Sequence, residues 1–134
     1  MYKAVTFATA FFIFRGIMAK TENTLTLSSE EIAEIKDRML PSDDVDIMAE
    51  FFKALSDPTR LNIVNALQLH EWLCVSDMVE ILGMSKSALS HQLCYMRLNK
   101  LVRVRRDGRH VFYALDDDHV KQVFALVLSH VNEH

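Results

Sequence analysis

Asp117, His119, His130 and Glu133, within the stretch DDDHVKQVFALVLSHVNEH at residues 116–134, carry side chains of the kind that hold divalent metal ions. Carboxylate oxygens and imidazole nitrogens are the oxygen and nitrogen donors of zinc-type sites. Between them Val120, Val123, Phe124, Val127, Leu128 and Val131 recur at helical spacing, so the donors fall in pairs at the two ends of one helix. His119 and His130 lie eleven residues apart, which at roughly 3.6 residues per turn returns them to nearly one face, about 16 Å apart along the axis. A zinc–nitrogen bond is only about 2 Å long, so one ion cannot be held by both pairs of a single helix. The spacing asks for a second copy. Two such helices packed antiparallel across a two-fold axis bring Asp117 and His119 of one chain to His130 and Glu133 of the other, in two equivalent sites. This donor set suits tetrahedral Zn(II), tolerates Co(II), and is poor for Cu(I) or for thiol-seeking Cd and Pb. His134, four residues after His130, can replace or supplement Glu133, and a higher coordination number would favour Ni(II) or Co(II). Each residue taken singly also has an ordinary role, because acids favour a helix's first turn and histidines its last.

The elements that must position these donors can be read back along the chain. Ser28 to Glu31 fits a capping box, and Ile32, Ile35 and Met39 continue at helical spacing until Pro41. A second helix is expected over about residues 45–55, with Ile47, Met48, Phe51, Phe52 and Leu55 inward. Pro58 suits the first turn of a third, whose Leu61, Val64 and Leu67 face the core. After His70, the stretch CVSDMVEILGMSKSALSHQLCYMRLNKL reads as two helices separated by Gly83-Met84, with Ser85 capping the second. This is helix-turn-helix spacing. Leu89, Leu93 and Met96 form the buried stripe of the second helix, and a small, polar, basic outward set remains, as suits a helix in a DNA major groove: Lys86, Ser87, Ser90, His91, Gln92 and Arg97, with Cys94 beside them. In LVRVRRDGRHVFYAL, Val102 and Val104 alternate with Arg103 and Arg105, Asp107-Gly108 supplies a turn, and Val111 and Tyr113 resume the alternation. A basic two-stranded wing results, on which Arg103, Arg105, Arg106 and Arg109 are expected to meet the DNA backbone or minor groove. The fold class expected is mainly α with a small β-hairpin, a winged helix-turn-helix, and the apolar last helix suggests a partner surface.

Charge agrees once it is read by segment. The 134-residue chain has a formal net charge of −3, which read globally argues against nucleic acid. Residues 85–110, however, carry +6, which leaves −9 on the rest. Half of the residues are apolar, enough for one small domain to bury a core without staples. The two cysteines, Cys74 and Cys94, form no CxxC pair, so a four-thiolate zinc site is excluded and a reducing, cytoplasmic setting fits. The run from Ala4 to Phe14 is too short to span a bilayer. A second start at Met18 makes residues 1–20 an extension, read as an artefact or a dispensable tail, before a DNA-binding and dimerisation domain over 21–134. A metal-dependent hydrolase is disfavoured, because four protein ligands close the open position that catalysis needs. The chain is not expected to be an enzyme.

Several stretches together resemble the ArsR/SmtB family of metal-sensing winged-helix repressors: FFKALSDPTRLNIVNAL, LCVSDM, SKSALSHQLCYMR and LVRVRRDGRHVFYAL, followed by D-x-H-x10-H-x2-E. The likeness covers about Asp46 to Glu133. It implies a homodimer that binds operator DNA without metal and releases it when metal binds. It also places Asp117, His119, His130 and Glu133 on the family's zinc site between C-terminal helices. A second family site uses LCVCD-type residues. Here Cys74 and Asp77 match, but Ser76 stands for the second cysteine and neither Cys nor His precedes His70. That site is read as vestigial, with Cys74 a buried small apolar residue.

Overall fold

A computed structural model describes residues 26–134, and these divide into two units, one ending at Leu40 and the other Pro41–His134. The expected extension over residues 1–20 and its apolar run lie outside the described residues. In the first unit, helix α1 (Ser29–Arg38) starts from the expected capping box. The Ser28 hydroxyl accepts from the Glu31 N–H, and the Glu31 carboxylate accepts from the Ser28 N–H.

The second unit runs α2 (Ser42–Leu55), α3 (Pro58–Leu69), β1 (Leu73–Cys74), α4 (Val75–Leu82), α5 (Lys86–Leu98), β2 (Val102–Asp107), β3 (His110–Leu115) and α6 (Asp118–Asn132). Its local signals are chemical. Asp57 caps α3 with Pro58 at the first helical position, and Ser85 caps α5 by accepting from the Ala88 N–H at 3.2 Å. Gly83 ends α4 at φ 62°, a left-handed conformation that glycine adopts without a Cβ penalty. Helix α5 closes with Leu101 N–H on the Met96 carbonyl at 2.9 Å and Lys100 N–H on that of Arg97 at 3.0 Å, a Schellman motif with Lys100 in the left-handed position at φ 56°.

The core is built on α5. Leu89, Leu93 and Met96 are fully buried, as their spacing predicts, among Ile63, Val64 and Leu67 of α3, Met78 of α4, Leu101, Val102, Leu115 and Val120. The hairpin is present but gains a partner: β1 pairs with β3 through Leu73↔Tyr113 and Cys74↔Phe112, giving a three-stranded antiparallel sheet ordered β1-β3-β2. A two-residue strand is too short to show the alternation by which strands are recognised in a sequence. The turn also shifts by one residue. Asp107 pairs with His110, so the turn is Gly108-Arg109, with positive φ at the glycine as in a type II′ hairpin.

Other apolar residues face away from this core. Ile47, Met48 and Phe52 of α2 and Leu61 of α3 are exposed, and only Leu55 and Val64 and Leu67 of the expected inward sets are buried, with Phe51 packed against the core's edge. An apolar stripe records a need for burial and does not specify the surface that meets it. Among the described residues no helix is long and apolar enough to cross a membrane.

Candidate functional site

Helix α6 holds its donors as two separated groups. At its start Asp117 is the N-cap: Oδ1 accepts from the N–H groups of His119 at 2.9 Å and Val120 at 3.4 Å, while Oδ2 stands 3.3 Å from His119 Nδ1. The hydrogen bond from the His119 ring holds the Asp117 carboxyl below the usual carboxylate range, and the two backbone N–H groups act in the same direction. At its end the His130 and His134 rings meet edge to face at 4.9 Å, and the Ser129 hydroxyl donates to Glu133 at 3.5 Å. All five side chains are exposed. Among the described residues of one chain no group of three or more His, Cys, Asp or Glu residues converges. A chain on its own thus offers two incomplete donor sets. Their chemistry fits Zn(II), because carboxylate oxygen and exposed imidazole nitrogen are available at each end without burying a charge.

Between those ends α6 is apolar toward solvent. Val120 is buried, and Val123 and Phe124 pack on the core, but Leu126, Val127, Leu128 and Val131 are exposed, Leu126 and Val131 at 61%. Contiguous exposed apolar strips of this kind mark interaction surfaces.

The second candidate surface lies on α5 and the wing. Lys86, Ser87, Ser90, His91, Cys94 and Arg97 are exposed, whereas Gln92 is half-buried and accepts from Arg60 Nη1 at 3.3 Å. Arg60 is a hub missed by sequence reasoning. Its guanidinium donates to the Ala54 and Lys53 carbonyls at the end of α2, lies 4.5 Å over the Tyr95 ring, and stands 3.9 Å from Asp57. One signal was available: a cation in the first turn of a helix opposes the dipole, so its side chain needs partners elsewhere. Trp72 was missed too. Arg103 and Arg105 lie over its ring at 5.0 and 4.3 Å, Arg105 also stands 5.4 Å from the Phe112 ring, and Arg103 reaches Glu71 at 4.0 Å.

Lys86 and Ser90 of α5 and Arg106 and Arg109 of the wing line a cleft of about 430 Å³, with Cys74, Ser76, His110, Val111 and Tyr113. Cys74 is buried, and its thiol meets Asp77 at 3.0 Å and Ser76 at 3.1 Å. Its hydrogen-bonding neighbours are thus Ser76 and Asp77, an oxygen-only set. Cys94 is free and exposed. His70 caps the end of α3 and bonds through Nδ1 to the Trp72 carbonyl at 2.9 Å.

A helix-turn-helix with a capped, exposed basic second helix and a basic hairpin beside it defines a winged helix-turn-helix regulator of the DNA-binding type. Residues 57–103 match the model of the bacterial regulatory protein family arsR. The chain is 41% identical over 104 residues to a transcriptional repressor SmtB homolog of Synechocystis sp., covering 78% of each protein. It is 34% identical to a cadmium resistance transcriptional regulatory protein CadC homolog of Staphylococcus aureus, covering 80% of this chain and 88% of that relative. The solution structure of a homodimeric winged helix-turn-helix DNA-binding domain from Mycobacterium bovis superposes with a TM-score of 0.62 at 27% identity, covering 83% of this chain and 93% of that one. The chain belongs to the arsR family of bacterial regulatory proteins. Its relatives are transcriptional regulators and not enzymes.

Proposed function

We propose that this protein is a metal-responsive transcriptional repressor that acts as a homodimer in the cytoplasm. Metal-free, the dimer binds operator DNA through the outward residues of α5 and the basic wing. With metal bound it releases the operator and derepresses genes for metal efflux or storage. The ligands are Asp117 and His119 of one protomer with His130 and Glu133 of its partner, and Zn(II) is the effector that this donor set fits. The observation that carries the reading is α6 itself, which exposes an apolar strip between two donor pairs that cannot share an ion within one chain. The name of one relative, a transcriptional repressor homolog, supports repression, and that of another, a cadmium resistance transcriptional regulatory protein homolog, supports a metal response in general.

In this reading zinc supplies the bridge between protomers, and the chain's own residues do the rest. The apolar strips of two α6 helices associate. The ligand histidines' second ring nitrogens orient the rings by hydrogen bonding, a lever of the kind that tunes metal sites. The dimer geometry then shifts so that two α5 helices no longer match successive major grooves, roughly 34 Å apart. Coupling between two such sites is typically about 1–3 kcal/mol, roughly 5- to 150-fold in DNA affinity.

The test is Co(II) titration of the metal-free protein, followed optically and by DNA-binding anisotropy, on wild type and His130→Ala. Intense tetrahedral bands at one metal per chain, displacement by zinc and release of DNA are expected, all lost in the variant. The proposal fails if zinc binds stoichiometrically and operator affinity is unchanged at constant salt. A second reading, a Ni(II) or Co(II) sensor that enlists His134, is favoured by the proximity of the His130 and His134 rings. Weak octahedral bands and dependence on His134 would establish it.

A further inference from the structure

The four wing arginines, which the sequence presents as one basic cluster, are divided by the pleat. Along β2, Arg103 and Arg105 point to one face and Arg106 to the other, because successive side chains alternate. The cross-strand register agrees. Arg105 is opposite Phe112 and lies over Trp72, whereas Arg106 is opposite Val111, which lines the α5 cleft with it. Arg103 and Arg105 are committed to Trp72, Phe112 and Glu71. Lys86, Arg106 and Arg109 converge on the cleft, and among the described residues none of them has an ion pair or ring contact.

Three cations without a protein ion pair and the Ser90 hydroxyl line one concave, exposed site, a donor set suited to an oxyanion. The site's position, between the outward helix and the wing, makes a phosphodiester of the DNA backbone the fitting occupant. We propose that this cleft seats one DNA phosphate per protomer on Lys86, Ser90, Arg106 and Arg109, and that Arg103 and Arg105 are positioning residues that hold the wing against Trp72 without contacting phosphate. This rests on the DNA-binding reading above and assigns unequal roles within it.

The salt dependence of DNA affinity separates the two groups, since its slope counts phosphates neutralised. For the dimer, the double variant Arg106→Gln/Arg109→Gln should flatten the plot of log K against log salt by about 2, roughly 0.9 for each of two seats. Arg106→Lys should keep the slope. Arg103→Gln and Arg105→Gln should leave it unchanged and lower the melting temperature, which the exposed Arg106→Gln should not. Equal flattening by all of the Gln variants, or an unchanged slope in the double variant, overturns the proposal while leaving DNA binding intact. A wild-type protein without salt-dependent DNA affinity overturns both. Saturable binding of inorganic phosphate, lost in the double variant while its DNA slope stays at the wild-type value, would make the cleft a small-anion site and also overturn it.

Discussion

At the residue scale, Asp117 carries two jobs that can be separated. Its carboxylate caps α6 through the His119 and Val120 N–H groups and faces the His119 ring. Asn caps about as well as Asp but is neutral. Asp117→Asn is therefore expected to keep the melting temperature of the metal-free protein and to weaken Co(II) binding, whereas Asp117→Ala should lower both. Wild-type Co(II) affinity in Asp117→Asn would leave the residue as a cap alone. Its carboxyl titrates below the usual range when folded, so its stabilising contribution is present at neutral pH and is lost as pH falls through that depressed value. The melting-temperature gap between wild type and Asp117→Ala should accordingly narrow in acid, by the part that depends on the carboxylate charge, while the neutral oxygen still caps the helix. Lys100 offers the opposite case. It holds φ 56° at the end of α5, where glycine carries no Cβ penalty, so Lys100→Gly should stabilise by about 1 kcal/mol in urea unfolding.

At the element scale, α5 is held from below by Leu89, Leu93 and Met96 and from the side by Arg60. Leu93→Ala should cost about 2–5 kcal/mol, the range for a buried leucine whose cavity collapses only partly. Arg60→Ala removes donors to two helix-end carbonyls and to Gln92 together with a ring contact, and should cost about 2 kcal/mol by denaturant unfolding. It should also release Gln92, so that DNA affinity changes at a salt slope close to that of wild type. A change confined to the slope would instead make Arg60 a phosphate contact.

At the scale of the whole molecule, the apolar strip on α6 and the split donor set are completed together in the proposed dimer, by a second copy. Val127 is 54% exposed in the middle of that strip. Val127→Glu is expected to shift sedimentation toward monomer and to abolish one-per-chain tetrahedral Co(II) binding, while circular dichroism stays helical. Monomers that still bound Co(II) tetrahedrally would place the ligands within one chain, at His130, Glu133 and His134.

Much of the fold was legible because its signals are local. Caps at Ser28 and Ser85, Pro58 in the first turn of α3, the glycine that ends α4 and the stripe Leu89–Leu93–Met96 follow from chemistry within a few residues of each position. The donor pairs of α6 were equally plain, since spacing along one helix sets which residues share an end. Non-local pairing was not legible. A two-residue β1 becomes a strand only because β3 lies beside it, and Arg60 finds Gln92, thirty-two positions away, only after α3 and α5 have packed. The same limit hid the division of the wing: composition shows four arginines, but the register of β2 on β3 and the position of Trp72 decide which remain unpaired. Sequence by itself determined the helices, the hairpin, the caps at Ser28 and Ser85 and the chemistry of the donors, because these depend on neighbours along the chain. Tertiary structure alone decided which charges are already satisfied and which apolar faces stay open, because those depend on neighbours brought together in space.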